Sequence, residues 1–122
     1  MKIKVLLVDD HEIVRIGFVF FLRTQEDIEL VGEAENGEDA LIFVGTASPD
    51  VVLMDLSMPE MDGVEATACI KKEYPDVTVK ILVLSSFSDQ AYVLPALGAG
   101  AGGYLLKDVE PDQLVASIRC AI

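Results

Sequence analysis

The residues able to do chemistry in this chain are few, and they stand at the ends of apolar runs. Asp9 and Asp10 follow Ile3–Val8, and Asp55 closes the run that opens "VVLMDLSMPEMDG". Ser85 and Ser86 follow Val79–Leu84, and Lys107 follows Gly103–Leu106. Taken singly, each has a plain structural role: an aspartate pair caps a helix, an aspartate before a loop makes a turn, and a lysine after a strand is a solvated charge. A carboxylate ending an apolar strand still needs a reason, because burying an unpaired charge is expensive. Three carboxylates brought together repel one another and raise a pKa, and a hard divalent cation such as magnesium relieves that repulsion through oxygen ligands. An aspartate can attack phosphorus as a covalent nucleophile. With a cation, a lysine and a serine hydroxyl beside it, the supported chemistry is phosphoryl transfer onto a carboxylate, which rests on positioning and charge stabilisation. A glycine-rich phosphate loop is absent after the first run, and two aspartates there repel phosphate unless a cation intervenes.

These residues meet only if the elements carrying them align. The apolar runs are Ile3–Val8, Ile28–Ala34, Val51–Met54, Val79–Leu84 and Gly103–Leu106. The first, third and fourth are near-continuous, the pattern of strands covered on both faces. Between them helical spacing predicts helices over about His11–Arg23, Gly37–Thr46, Gly63–Tyr74, Asp89–Leu97 and Pro111–Ala121. Asp10, Asp62 and Ser88 are the expected N-caps, and Pro111 suits a first helical turn. Five alternating units imply an α/β fold with a doubly wound parallel sheet. Right-handed crossovers and the strand order 2-1-3-4-5 put the ends of the first and third strands at a switch point, where open sheets bind ligands.

The 122 residues fit one domain with a sizeable core. Hydrophobic residues make up 52% and mean hydropathy is +0.43, yet no apolar run approaches the roughly 18 residues of a membrane span. The opening "MKIKVLLVDDH" does not read as a signal peptide, so a cytoplasmic location is expected. Cys69 and Cys120 are expected as free, buried thiols, since cytosolic disulfides are rare. A net charge of −12 argues against this chain gripping a nucleic-acid backbone by itself.

"LLVDDH", "VVLMDLSMPEMDG", "VLSS" and "GYLLKD" together resemble the receiver domain of bacterial two-component response regulators, over essentially the whole chain. "VDDH" and "GYLLKD" are most similar to the NarL/FixJ (LuxR-type) branch. The resemblance implies a flavodoxin-like (βα)5 domain over residues 1–122. It implies that Asp55 is the phosphoacceptor, taking a phosphoryl group from a sensor histidine kinase with magnesium bound. Asp10 and Asp55 would be direct ligands, Asp9 a ligand through water, and Ser57 a ligand through its backbone carbonyl. Ser85 matches the switch hydroxyl, Ser86 the small residue beside it, Tyr104 the aromatic switch position and Lys107 the invariant lysine. Phosphorylation would move Ser85 and Lys107, reshape the face of the fourth helix, fifth strand and fifth helix, and promote a homodimer. DNA would be bound only through a C-terminal helix-turn-helix domain outside this sequence. The domain would be a phosphoacceptor switch with slow self-phosphorylation and self-dephosphorylation.

Other classes fit less well. An aspartyl-phosphate phosphatase places D-x-D after its first strand, and this one reads "DDH"; a flavodoxin-like binding module would need the phosphate loop; a receiver that only dimerises would not need all five polar residues. In "HEIVRIGFVFFLR", a spacing of about 100° per residue puts Ile13, Val14, Gly17, Phe20 and Phe21 on the core face. Ile16 and Val19 then lie outside, as scattered apolar residues or as a candidate dimer surface. In "QAYVLPALGAGAGGY", Pro95 removes a backbone donor, which leaves either a shortened helix or a mobile switch face. His11 alone is weak ground for a metal ligand.

Overall fold

A computed structural model describes residues 2–58 and 60–122, the side chains of residues 87–89 excepted. The strands are β1 (Ile3–Val8), β2 (Ile28–Ala34), β3 (Val51–Asp55), β4 (Lys80–Ser85) and β5 (Gly103–Leu106). The helices are α1 (Glu12–Leu22), α2 (Gly37–Ala47), α3 (Gly63–Glu73), α4 (Val93–Gly98) and α5 (Pro111–Ala121), with a 3-10 turn over Phe87–Tyr92 before α4. All strand pairs are parallel, in the order β2-β1-β3-β4-β5. The predicted α/β fold and strand order are therefore those of the protein.

Successive strand residues face opposite sides of a sheet, and both sides here are covered. Leu6, Val8, Val52, Met54, Ile81 and Val83 pack with Ala40 and Val44 of α2, Ala66 and Ile70 of α3, and Val93 and Ala96 of α4. Val5, Leu7, Val51, Leu53, Leu82 and Leu84 pack with Leu22 of α1 and with Leu114, Val115 and Ile118 of α5. This double burial is why the inner strands read as continuous apolar runs.

Capping fixes where the helices begin. Asp62 accepts a hydrogen bond from the Glu65 N–H at 2.9 Å, and Asn36 does the same for α2 from the Asp39 N–H at 2.8 Å. Pro111 stands in the first turn of α5. Asp10 is not the cap of α1: that position falls to His11, which makes no side-chain cap bond. Asp9 instead accepts the His11 N–H at 2.8 Å, which leaves Asp10 outside the capping role. The cap expected at Ser88 lies outside the described side chains.

Three further expectations are corrected. Ile13 and Phe20, expected in the core, are 86% and 77% exposed, and Gly17 is exposed too. Phe18 and Val19 pack on the core in their place, beside Phe21, which lies there as expected, so Val19 is not on the outer face, whereas Ile16 is. An almost wholly apolar helix gives its periodicity little phase; here Arg15 holds the rotation, its guanidinium donating to the Asp9 carbonyl at 2.7 Å and pairing with Glu33 in β2 and Glu35 just after it. The fourth helix starts at Val93, so Pro95 falls in its first turn, where backbone N–H groups have no helical partner to lose. The shortened helix is thus the observed one. Both cysteines are free, but Cys69 is half-buried and Cys120, in the last turn of α5, is exposed.

Candidate functional site

Strand parity aims the reactive side chains. Asp9 extends the row of Val5 and Leu7, Asp55 that of Val51 and Leu53, and Lys107 that of Leu105. All three therefore project to the α1/α5 side of the sheet edge, at the carboxyl ends of β1, β3 and β5. The Lys107 Nζ stands 3.0 Å from Asp55 Oδ1 and 3.5 Å from Asp9 Oδ2. Its backbone is held to β4 by donation from the Lys107 N–H to the Ser85 carbonyl at 2.8 Å. The Ser57 N–H donates to Asp55 Oδ1 at 3.2 Å. Asp55 Oδ2 faces the other way, toward the acidic pair and His11.

Buried polar side chains normally have hydrogen-bond partners. Among the described residues four polar side chains are fully buried: Asp9, Asp55, Thr67 and Ser85. Thr67 is satisfied by the Gly63 carbonyl at 2.7 Å. The other three lie at the sheet edge, and Asp9 Oδ2, Asp55 Oδ2 and Ser85 Oγ have no hydrogen-bond partner, as does Asp10 Oδ1. With His11, the three carboxylates form a group of ligand atoms close enough together that they could hold a metal ion. Burial pushes the Asp55 carboxyl up to about 7, against the lowering pull of Lys107 and with the Asp9 charge adding to the rise.

The structure thus brings Asp9, Asp10, Asp55 and Lys107 together. Ser57 is exposed at the start of the following loop, and Ser86 is half-buried beside Ser85. Ser85 belongs to the row of Ile81 and Val83 and so approaches from the α3/α4 side. Tyr104 is 49% exposed on the edge strand, away from the carboxylates in the sheet register. Two clefts flank the carboxylates, one of about 230 Å³ lined by Leu56, Ser57, Met58, Asp62 and Tyr92, the other of about 210 Å³ lined by Ser85, Ser86, Leu106, Lys107 and Asp108. A larger cavity of about 420 Å³, between β5 and the end of α5, is lined by Tyr104 but by none of the carboxylates and not by Lys107.

The loop after β3 is held by close approach at its far end. A Cβ on Gly63 would fall 2.4 Å from the Asp55 carbonyl oxygen and 2.8 Å from Leu56 Cα. Only glycine lets the α3 N-terminus close on the strand that carries Asp55.

One residue of the site was not foreseen as such. His11 turns its ring back over the crevice, with Nδ1 at 3.1 Å from Asp9 Oδ1, 3.1 Å from Asp10 Oδ1, 3.6 Å from Asp55 Oδ2 and 3.4 Å from Lys107 Nζ. Its adjacency to the aspartate pair was the available signal, but the direction of a cap residue's side chain follows from no periodicity.

Comparison with known proteins agrees with this fold. The model of the response regulator receiver domain matches residues 5–119. The chain is 54% identical over 112 residues to the uncharacterized transcriptional regulatory protein YhcZ of Bacillus subtilis, covering 92% of this chain and 51% of that protein. It is 48% identical over 119 residues to the response regulator protein VraR of Staphylococcus aureus, covering 98% of this chain and 56% of that protein. The chain thus spans about half the length of these curated relatives. The signal receiver domain of the putative response regulator NarL from Mycobacterium tuberculosis superposes with a TM-score of 0.88 at 37% identity, covering 98% of this chain and 96% of that one.

Proposed function

Since this chain belongs to the response regulator receiver family, we propose that it accepts a phosphoryl group on Asp55 from a sensor histidine kinase, with magnesium bound beside it. The observation that carries this is a fully buried Asp55 held at 3.0 Å by Lys107, its other oxygen left without a hydrogen bond and turned toward Asp9 and Asp10. The donor set suits a hard cation: Asp10 and Asp55 as direct ligands, Asp9 through water, and the Ser57 carbonyl completing the oxygens. Magnesium, when bound, neutralises the charge of the acidic crevice and of the phosphoryl oxygens.

In the transfer, a carboxylate oxygen of Asp55 forms a bond to phosphorus as the P–N bond to the kinase histidine breaks. The electron pair leaves with the imidazole nitrogen, which takes up a proton from water. Lys107 balances charge that builds on the phosphoryl oxygens, and the unpartnered Ser85 hydroxyl donates to one of them. Ser86 gives room beside it. Movement of Ser85 toward the phosphoryl group frees space for the Tyr104 ring, and the change reaches the face of α4, β5 and α5. That is a local charge biasing a two-state element. The output then follows through homodimerisation and a C-terminal helix-turn-helix domain in the part of the protein beyond this sequence.

The test is incubation with magnesium and a small phosphodonor, read by intact mass. The native protein should gain one phosphoryl adduct and Asp55→Asn none. An adduct of equal yield on Asp55→Asn would refute the acceptor assignment.

A further inference from the structure

A hydrogen bond between His11 Nδ1 and Asp9 Oδ1 does not account for everything that nitrogen faces. It stands 3.1, 3.1 and 3.6 Å from three carboxylate oxygens and 3.4 Å from the Lys107 ammonium. One nitrogen cannot donate to the first group and accept from the second at the same time. A metal ion placed between them resolves this, because each oxygen and the nitrogen would then direct a lone pair inward. The four ligand atoms lie within 4.8 Å of one another. An octahedral ion with bonds of 2.1 Å sets neighbouring ligands about 3.0 Å apart, and tetrahedral zinc sets them about 3.3 Å apart. The observed nitrogen–oxygen separations of 3.1, 3.1 and 3.6 Å lie close to these values. Asp10 Oδ1 and Asp55 Oδ2, two of the three oxygens that the ring nitrogen faces, are buried without a hydrogen-bond partner, so these acceptors are already stripped of water. The His11 ring, by contrast, is half-exposed, so it can adjust to an ion without disturbing the core.

We propose that His11 is a nitrogen ligand at this site, making it a mixed imidazole–carboxylate centre that takes a first-row transition ion such as zinc as well as magnesium. Imidazole favours zinc, nickel and copper, whereas carboxylate, carbonyl and water favour magnesium. Removing the ring therefore changes which ion is held more than whether one is held. The inference rests on the cation reading of the crevice and adds the identity of the ion it selects.

His11 is the chain's only histidine, so its ring is uniquely observable by long-range proton–nitrogen NMR. Zinc added to the metal-free protein should shift the Nδ1 resonance, and excess magnesium should reverse the shift. His11→Ala should lower zinc affinity by about tenfold or more relative to magnesium, as is usual when metal-site support is lost. An unmoved Nδ1 resonance, while magnesium still shifts the amides of residues 9–11 and 55–57, overturns the proposal and leaves the cation reading standing. Equal weakening of both ions by His11→Ala also overturns it. If magnesium moves no amide, the cation reading falls and the proposal with it.

Discussion

Asp55→Asn should make the metal-free protein more stable at neutral to alkaline pH. The Asp55 carboxyl rises from 3.8 to about 7 on folding, chiefly through burial. Between those values the folded state holds a proton that the unfolded state has released. Stability therefore falls as pH rises through this window and reaches its floor above the folded value. About three decades of proton affinity at ~1.4 kcal/mol each give a cost of about 4 kcal/mol at about pH 8. Asparagine carries no charge in either state and escapes that cost. Asp55 has no solvent exposure, so little of the cost is screened away. Urea unfolding followed by circular dichroism, in chelator, should show the variant about 2–4 kcal/mol more stable at pH 8, with the gain shrinking to under about 2 kcal/mol at pH 5. Magnesium at about a hundred times its dissociation constant adds ~2.7 kcal/mol to the native protein and less to a variant lacking one ligand, so it should narrow the gap. Equal stabilities at pH 8 without metal, or a gain that does not shrink on acidification, would show that Asp55 is not a desolvated carboxylate.

Gly63→Ala should cost about 1–3 kcal/mol, because the added carbon meets the Asp55 and Leu56 backbone and cannot be relieved by a side-chain rotation; denaturant midpoints check this, and a neutral result would mean that the loop after β3 shifts freely. Leu114→Ala removes a fully buried side chain beneath α5 and should destabilise by about 2–5 kcal/mol in the same assay. Amide exchange should be fastest within α4, a helix of six residues with Leu94 78% exposed, and slowest in β3 and β4. Protection of residues 93–98 equal to that of residues 81–84 would refute this ranking.

How much of this could be read from the sequence depended on whether position along the chain also set direction. Strand runs did so, because parity fixes the face of each residue: Asp9, Asp55 and Lys107 were legible once Val5, Val51 and Leu105 were placed. The order of strands followed from the alternation of elements. α1 failed for the opposite reason. With Ile13, Val14, Ile16, Phe18, Val19, Phe20 and Phe21 all apolar, periodicity alone left the rotation of the helix open, and the Arg15 contacts with Glu33 and Glu35 come from far along the chain. His11 was obscured by its place at a junction, where the chain obeys neither a strand's period nor a helix's. The cap at Asn36 carried its usual signature and was overlooked, whereas Asp10 carried the same signature but the cap position fell to His11.

The parity of the strands has a consequence for making chimeras. Asp9, Asp55 and Lys107 belong to the layer shared with α1 and α5, while Ser85 grows from the layer shared with α2, α3 and α4. The buried apolar residues of the two sides form separate clusters. Transplanting Val52, Met54, Ile81, Val83 and their helical neighbours from a relative should therefore leave the Asp55–Lys107 pair at its present spacing. The sheet serves as a graft line, along which the half that carries the charge and the half that faces Ser85 can be recombined from different parents.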